Sequence, residues 1–291
     1  MTTFGDQVFQ FGGVPVSPDY GGCWGNHYFV DGTDGAEHQG GKKPSEALQT
    51  VAQALSAAGN YDTIVLKHGN MGFNEDSLEI SKTALRLTGC QPHGGCIYGS
   101  YIYSNAGNLL TVTANGVEIS NMSFLAYGDT YNCIKWADET PTITYQGYLH
   151  DCGFMGSDVG EHGVYMAHGG EAGQLVIERC NFQGFATACI AADGSFNMIK
   201  DSFFDVMTAK VGIQVVATAR PWMKIISNYF FTDDATNADG IVFTGTPTVG
   251  NLLIDNNHFQ NFAGDSDCIE TVNGYSGLNY NNEAAIAVTS A

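Results

Sequence analysis

Ile177-Glu178-Arg179-Cys180-Asn181-Phe182 is one copy of a six-residue signature that recurs six times in the second half of the chain. The other copies are Ile119-Ser120-Asn121-Met122-Ser123-Phe124, Leu149-His150-Asp151-Cys152-Gly153-Phe154, Ile199-Lys200-Asp201-Ser202-Phe203-Phe204, Ile226-Ser227-Asn228-Tyr229-Phe230-Phe231 and Ile254-Asp255-Asn256-Asn257-His258-Phe259. Their closing Phe residues fall 30, 28, 22, 27 and 28 positions apart. A period in this range without a fixed length marks a solenoid, in which each copy is one turn and length differences go into loops.

Each turn carries a second element eight to ten residues after the Phe, a small residue followed by a β-branched one. These pairs are Cys133-Ile134, Gly163-Val164, Cys189-Ile190, Gly212-Ile213, Gly240-Ile241 and Cys268-Ile269. Alternation around them, as in Ile213-Gln214-Val215, suits strands with one buried face. No segment after Gly59 has a helical apolar period long enough for a βαβ crossover, so short strands repeat without helices between them. That pattern predicts an all-β, right-handed parallel β-helix. Six regular turns, with three less regular ones between Ile64 and Val112, predict a rod of roughly 40–50 Å.

The third signature position holds Asn121, Asp151, Arg179, Asp201, Asn228 and Asn256. Asn and Asp tolerate the left-handed bend between two strands, so this column reads as a polar ladder at a turn, with Arg179 pointing outward. Ahead of the repeats, Lys43-Pro44-Ser45-Glu46 is expected to open a cap helix whose apolar stripe is Leu48, Val51 and Leu55. A helix across the end of a solenoid protects open strand edges. The chain therefore divides into an extended N-terminal arm over residues 1–26, a cap strand and helix over 27–62, and a parallel β-helix over 63–291.

The run from Tyr28 to Gly69, YFVDGTDG…GKKPSEALQTVAQALSAAGNYDTIVLKHG, resembles the N-terminal cap of the right-handed β-helix, pectin-lyase-like superfamily. With the later turns, the likeness covers about residues 27–275. The superfamily includes polysaccharide lyases, glycosidases, phage tailspikes and inert virion proteins, so function has to come from sites.

A glycosidase on this scaffold would need paired carboxylates across a groove. Asp239 and Asp267 share a slot in successive turns, and Asp233, Asp234 and Asp265 lie in neighbouring loops; His162 shares that slot three turns back. The resemblance implies Asn-Thr-Asp, Asp-Asp, Gly-His-Gly and Arg-Ile-Lys motifs for galacturonan hydrolases. Only Asp233-Asp234 matches, since Glu161-His162-Gly163 and Ala167-His168-Gly169 lack the first Gly. Pectate lyases use Ca²⁺-binding acids with a basic proton acceptor, and the arginines here (Arg86, Arg179 and Arg220) match no such motif. The acidic cluster reads as a solvated loop face, or at most a cation site. Of the scattered tryptophans Trp24, Trp136 and Trp222, the last two are expected at the surface. No catalytic residue, cofactor or metal is expected, and an enzymatic role as a polysaccharide hydrolase or lyase ranks second.

Eleven basic against thirty acidic residues give a net charge of −19, which disfavours nucleic acid and anionic membrane as partners. The opening Met1-Thr2-Thr3-Phe4-Gly5-Asp6 has no secretion signal, so synthesis in a cytoplasm is expected. The eight cysteines fit that compartment. Cys133, Cys189 and Cys268 alternate with Gly, and Cys152 and Cys180 share a slot with Met122 and Ser202, so they read as reduced packing residues. Cys90-Gln91-Pro92-His93-Gly94-Gly95-Cys96 reads as an ordinary turn and not a metal loop.

In the arm, Phe4, Val8, Phe9, Phe11, Val14 and Val16 are interrupted by Gly5, Gly12, Gly13, Pro15 and Pro18, which rules out a helix. Such an arm either runs along the first turns or docks on another protein or a second copy of the chain; the docking reading is the one taken, with Phe4, Val8, Phe9, Phe11 and Val14 as the contact residues. An apolar arm ahead of a compact β-helix is similar to the capsid decoration (cement) proteins of tailed phages. That likeness implies a place on the virion, bound to the major capsid protein or another virion protein. The side-by-side assembly of viral β-helices, with the closed symmetry common among oligomers, leads to the expectation of a homotrimer. The alternative is a tailspike or receptor-binding protein that binds or cleaves host polysaccharide.

Overall fold

The computed structural model describes residues 25–67, 72–90, 99–128, 130–136, 146–166, 174–193, 197–216, 223–233, 238–244, 252–262, 268–271 and 278–280. One full turn shows the construction. Gly147–His150 lies in a first sheet, the chain bends at Asp151, Gly153–Met155 lies in a second sheet, and His162–Met166 lies in a third. Every neighbour within a sheet comes from the previous or next turn, and these pairs run parallel. Among the described residues the first sheet has ten strands, and the second and third have eight each. The chain is a right-handed parallel β-helix, with one short α-helix among the described residues. Nine steps of about 4.8 Å along the first sheet give a rod of about 43 Å.

The core is three columns. Leu87, Ile119, Leu149, Ile177, Ile199 and Ile225 come from the first sheet, and Ile134, Val164, Ile190, Ile213 and Ile241 from the third; all are fully buried. The second sheet supplies Phe124, Phe154, Phe182, Phe204, Phe230 and Phe259, stacked with centroids 5.3, 4.7, 5.0, 4.7 and 4.8 Å apart. The small residue of each third-sheet pair is set by this stack. A Cβ on Gly163 would lie 2.7 Å from Phe182 Cδ1, and one on Gly240 would lie 2.5 Å from Phe259 Cε1.

The turn over residues 223–231 sits one residue away from the sequence expectation. Phe204 pairs with Phe230 and Phe230 with Phe259, whereas Phe231 pairs with Asp205 and Gln260 on the outer face. The signature there is Ile225-Ile226-Ser227-Asn228-Tyr229-Phe230. Accordingly the left-handed residue is Ser227 (φ 55°), in line with Asn121, Asp151, Arg179, Asp201 and Asn256 at φ 50–55°. Asn228 instead enters the buried corner column of Met122, Cys152, Cys180, Ser202 and Asn257. The reason is hydrogen bonding. Its Oδ1 accepts from the Ser202 N–H at 3.0 Å, and its Nδ2 donates to the Ile199 carbonyl and to Asn257 Oδ1, each at 3.0 Å. At the bend Asn228 would leave those buried groups unpaired, which costs more than a serine at a left-handed position.

The cap also starts later than expected. Pro44–Glu46 makes only a 3₁₀ turn, because Leu48 is drawn into a parallel bridge with Val30. The α-helix runs Val51–Ala57 behind a capping box in which Thr50 and Gln53 satisfy each other's backbone N–H groups. Glu75 from the first turn accepts from the Val51 and Ala52 N–H groups at 2.7 and 2.8 Å. Strand His27–Val30 pairs with Thr63–Leu66, so the cap strand belongs to the first sheet. Among the described residues between Thr63 and Val112 there are two turns and not three: Thr63–Leu66, Phe73–Asn74 and Leu78–Ile80, then Arg86–Gly89, Tyr101–Ser104 and Leu110–Val112.

Candidate functional site

Along the first sheet, the residues on either side of each buried apolar position face outward. In-register pairing lines up Arg86, Glu118 and Tyr148 in one column, and Ser120, His150, Glu178 and Lys200 in the other. Asp151 and Arg179 flank them at the left-handed bends.

These side chains form one continuous network. Arg86 Nη2 donates to Glu118 Oε1 at 2.9 Å, and the same oxygen lies 3.1 Å from His150 Nε2. His150 Nδ1 is 2.6 Å from Asp151 Oδ2. Arg179 reaches back across one turn and donates Nε–H and Nη2–H to the two Asp151 oxygens, both at 2.8 Å. Arg179 also pairs with Glu178, which receives Lys200 Nζ at 3.1 Å and the Tyr148 hydroxyl at 2.6 Å. The Tyr148 and His150 rings stack at 4.1 Å. From Arg86 to Lys200 the network crosses five turns.

Its electrostatics hold every carboxylate ionised. Burial pushes Glu118 up, but the hydrogen bond from His150 and the charge of Arg86 outweigh it and leave the carboxyl below its ordinary value. The Arg179 guanidinium lowers Asp151. For Glu178, burial is again outweighed, here by Tyr148 and Lys200. Burial and the neighbouring Glu178 push the Tyr148 phenol up to about 12, the wrong direction for a base that must ionise near neutrality. A general acid has to hold an exchangeable proton, and Glu118, Asp151 and Glu178 are each kept ionised by the groups that pair with them. The arrangement clamps turn to turn.

The residues expected from sequence to dock a partner, Phe4, Val8, Phe9, Phe11 and Val14, lie outside the described residues, as do Asp234, Asp265, Asp267, Trp24 and Trp222. His162 pairs through Ala188 and Val211 to Asp239, three turns away, so the two are not brought together. His162 is buried against Asn132 Oδ1 at 2.8 Å, and burial lowers its pKa to about 4. Trp136, expected at the surface, is 2% exposed and packs in the core. It is held there because it follows Ile134 by two on an inward-facing strand. Cys133, Cys152, Cys180, Cys189 and Cys268 are buried, and Cys90 is exposed. Arg179 does point outward, with its side chain 46% exposed.

Three features escaped the sequence reading. Asp205 lies beside Asp233, and burial followed by that neighbour raises its pKa. The charged network was visible as the second signature position, which runs Ser120, His150, Glu178, Lys200. An outward aromatic column, Phe203, Tyr229 and His258, stacks at 5.5 and 4.7 Å. Its faces meet one another along the rod, so solvent meets ring edges.

No protein-family model matches the sequence, and no curated protein matches it. Solved structures do show likeness. A pectin methylesterase in complex with a hexasaccharide is similar at 13% identity and TM-score 0.47, over 90% of each chain. A protein of Geobacillus virus E2 (ORF18) is similar at 13% identity and TM-score 0.43, over 81% of this chain and 58% of that one. An alginate lyase from Paenibacillus sp. str. FPU-7 is similar at 14% identity and TM-score 0.38, over 80% and 96%. The pairing of the three parallel sheets itself establishes that the chain has a parallel β-helix fold.

Proposed function

We propose that the chain is a structural protein of a tailed-phage particle, a capsid decoration protein that acts as a rigid rod without catalysis. The observation that carries the non-catalytic half is the closed ion network on the first sheet, where Asp151 is held in two bonds by Arg179 and Glu118 by Arg86 and His150. The virion half is supported by the layout of an apolar arm ahead of a self-contained rod. In this reading Phe4, Val8, Phe9, Phe11 and Val14 seat on the major capsid protein or another virion protein, and three copies act together. Burying such side chains is worth roughly 1.5–3 kcal/mol each, enough in combination to anchor a trimer. Deleting residues 1–20 should leave a folded β-helix, judged by circular dichroism, that no longer sediments with capsids. Normal sedimentation of the truncated chain overturns the arm as the attachment site.

A second reading, a tailspike or receptor-binding protein for host polysaccharide, is favoured by one feature. Tyr101 and Tyr103 lie 5.8 Å apart with a 39° tilt, and Tyr127, 43% exposed, meets Tyr103 edge-on at 6.3 Å. Tilted rings leave faces open for sugar contact. Cleavage of a host polysaccharide by the purified chain, or binding lost in Tyr127→Ala, would replace the first reading with this one.

A further inference from the structure

We propose that His150 is a proton-operated clasp between two turns of the rod, closed as the imidazolium and opened when the ring loses one proton. The geometry asks for two N–H donors. Nδ1 lies 2.6 Å from Asp151 Oδ2 and Nε2 lies 3.1 Å from Glu118 Oε1, and carboxylate oxygens only accept. A neutral imidazole has a single N–H, so one nitrogen would turn a lone pair toward a carboxylate. The ring has little freedom to escape this conflict. Its side chain is 12% exposed, and the Tyr148 ring covers it at 4.1 Å.

The groups around the ring are acidic in excess until the proton is counted. Glu118 faces it from the preceding strand, with Arg86 behind. Asp151 faces it from the following bend, held by Arg179. Glu178 sits in register on the next strand, bound by Arg179, Lys200 and the Tyr148 hydroxyl. Asp201 lies 3.9 Å from Lys200. Four carboxylates thus meet three fixed cations, and the imidazolium supplies the fourth charge.

The two contacts are not equal. Asp151 is already fixed by two bonds from Arg179, whereas the Glu118 contact is longer and spans the gap between turns. Deprotonation therefore releases Glu118 and uncouples strand Val117–Ser120 from Gly147–His150 on the outer face. The sign follows from linkage. Burial lowers the His150 pKa, but the hydrogen bonds of Glu118 and Asp151 outweigh it and hold the value above that of a free histidine. Its contribution is fully present below the unfolded value of about 6.5 and disappears as pH rises through the folded value.

Two measurements on the full chain test this: histidine ring titration by NMR, and melting temperature against pH for wild type and His150→Gln. His150 should titrate above about 6.5. Glu118→Gln should move that titration down. Wild type should lose roughly 2–4 °C relative to His150→Gln as pH rises from about 6 to 9. Titration at or below the free value, or a gap between the two melting curves that does not change with pH, overturns the clasp. Should His150→Gln fail to fold, the wild-type and Glu118→Gln titrations decide alone.

Discussion

The Phe204 and Phe230 rings lie 4.7 Å apart and within 10° of parallel, although 26 residues of chain separate them and Phe231 was the expected partner. This contact fixes the register of the later turns, because Phe230 then meets Phe259 at 4.8 Å and carries Phe231 to the outer face.

Phe182 stands in the middle of the column, between Phe154 and Phe204. Replacing it by Ala removes a whole ring from a site with no access to solvent, so urea unfolding should show a loss of roughly 3–5 kcal/mol. Phe231→Ala, on the outer face, should cost under about 1 kcal/mol. Equal losses for the two variants would refute the register.

The glycines of the third sheet give a sharper test of packing. A Cβ on Gly212 would lie 2.6 Å from the Gly240 carbonyl oxygen and 2.9 Å from Phe230 Cδ1. Backbone cannot yield as a flexible side chain does, so Gly212→Ala should destabilise by roughly 1–3 kcal/mol. An unchanged denaturation midpoint would mean that the stack shifts freely.

Arg179 looks important from its contacts but should matter little to stability. It is half-exposed, and exposed ion pairs are worth at most about 1 kcal/mol. Against that loss, Arg179→Asn places a residue that tolerates φ 51° better at the bend. The variant should melt within about 2 °C of wild type, and a drop several times larger would mean that the network acts as a cooperative unit.

His162 runs opposite to His150. Its folded pKa is about 4 because of burial, so the unfolded chain takes up a proton first as pH falls. Stability should therefore decline between about pH 6.5 and 4, by up to roughly 1.4 kcal/mol per unit. His162→Gln should flatten that acid limb while leaving the alkaline side unaltered. A persistent acid slope in the variant would assign it to other groups.

How far these features were readable from sequence depends on how each is encoded. The columns of Phe and β-branched residues repeat at every turn, so the parallel β-helix solenoid followed from them. The slip at residues 225–231 did not, because Ile225-Ile226 and Phe230-Phe231 are doublets that satisfy the apolar pattern in either register. Only the buried amide bonds of Asn228 decide between them. The cap helix starts at the capping box of Thr50 and Gln53, whose spacing is itself a start signal, and not at Pro44, which opens only a 3₁₀ turn. Glu118, His150, Glu178 and Lys200 stood beside the apolar signature positions. Their mutual pairing depends on alignment between turns, which no single turn displays.

The left-handed bend after each first-sheet strand has one more consequence. From Ile119 to Phe124, and likewise in each later copy, the path through that bend has the same number of residues, whereas the link from the third sheet back to the first varies. It takes ten residues after Trp136 and four after Asp193. Chain length and rod length are therefore separate quantities. Residues added to a return link leave the rod length unchanged, and only a complete turn advances the axis, by about 4.8 Å. The molecule is a ruler graduated in turns, and its reach is set by how many times the chain closes the circuit.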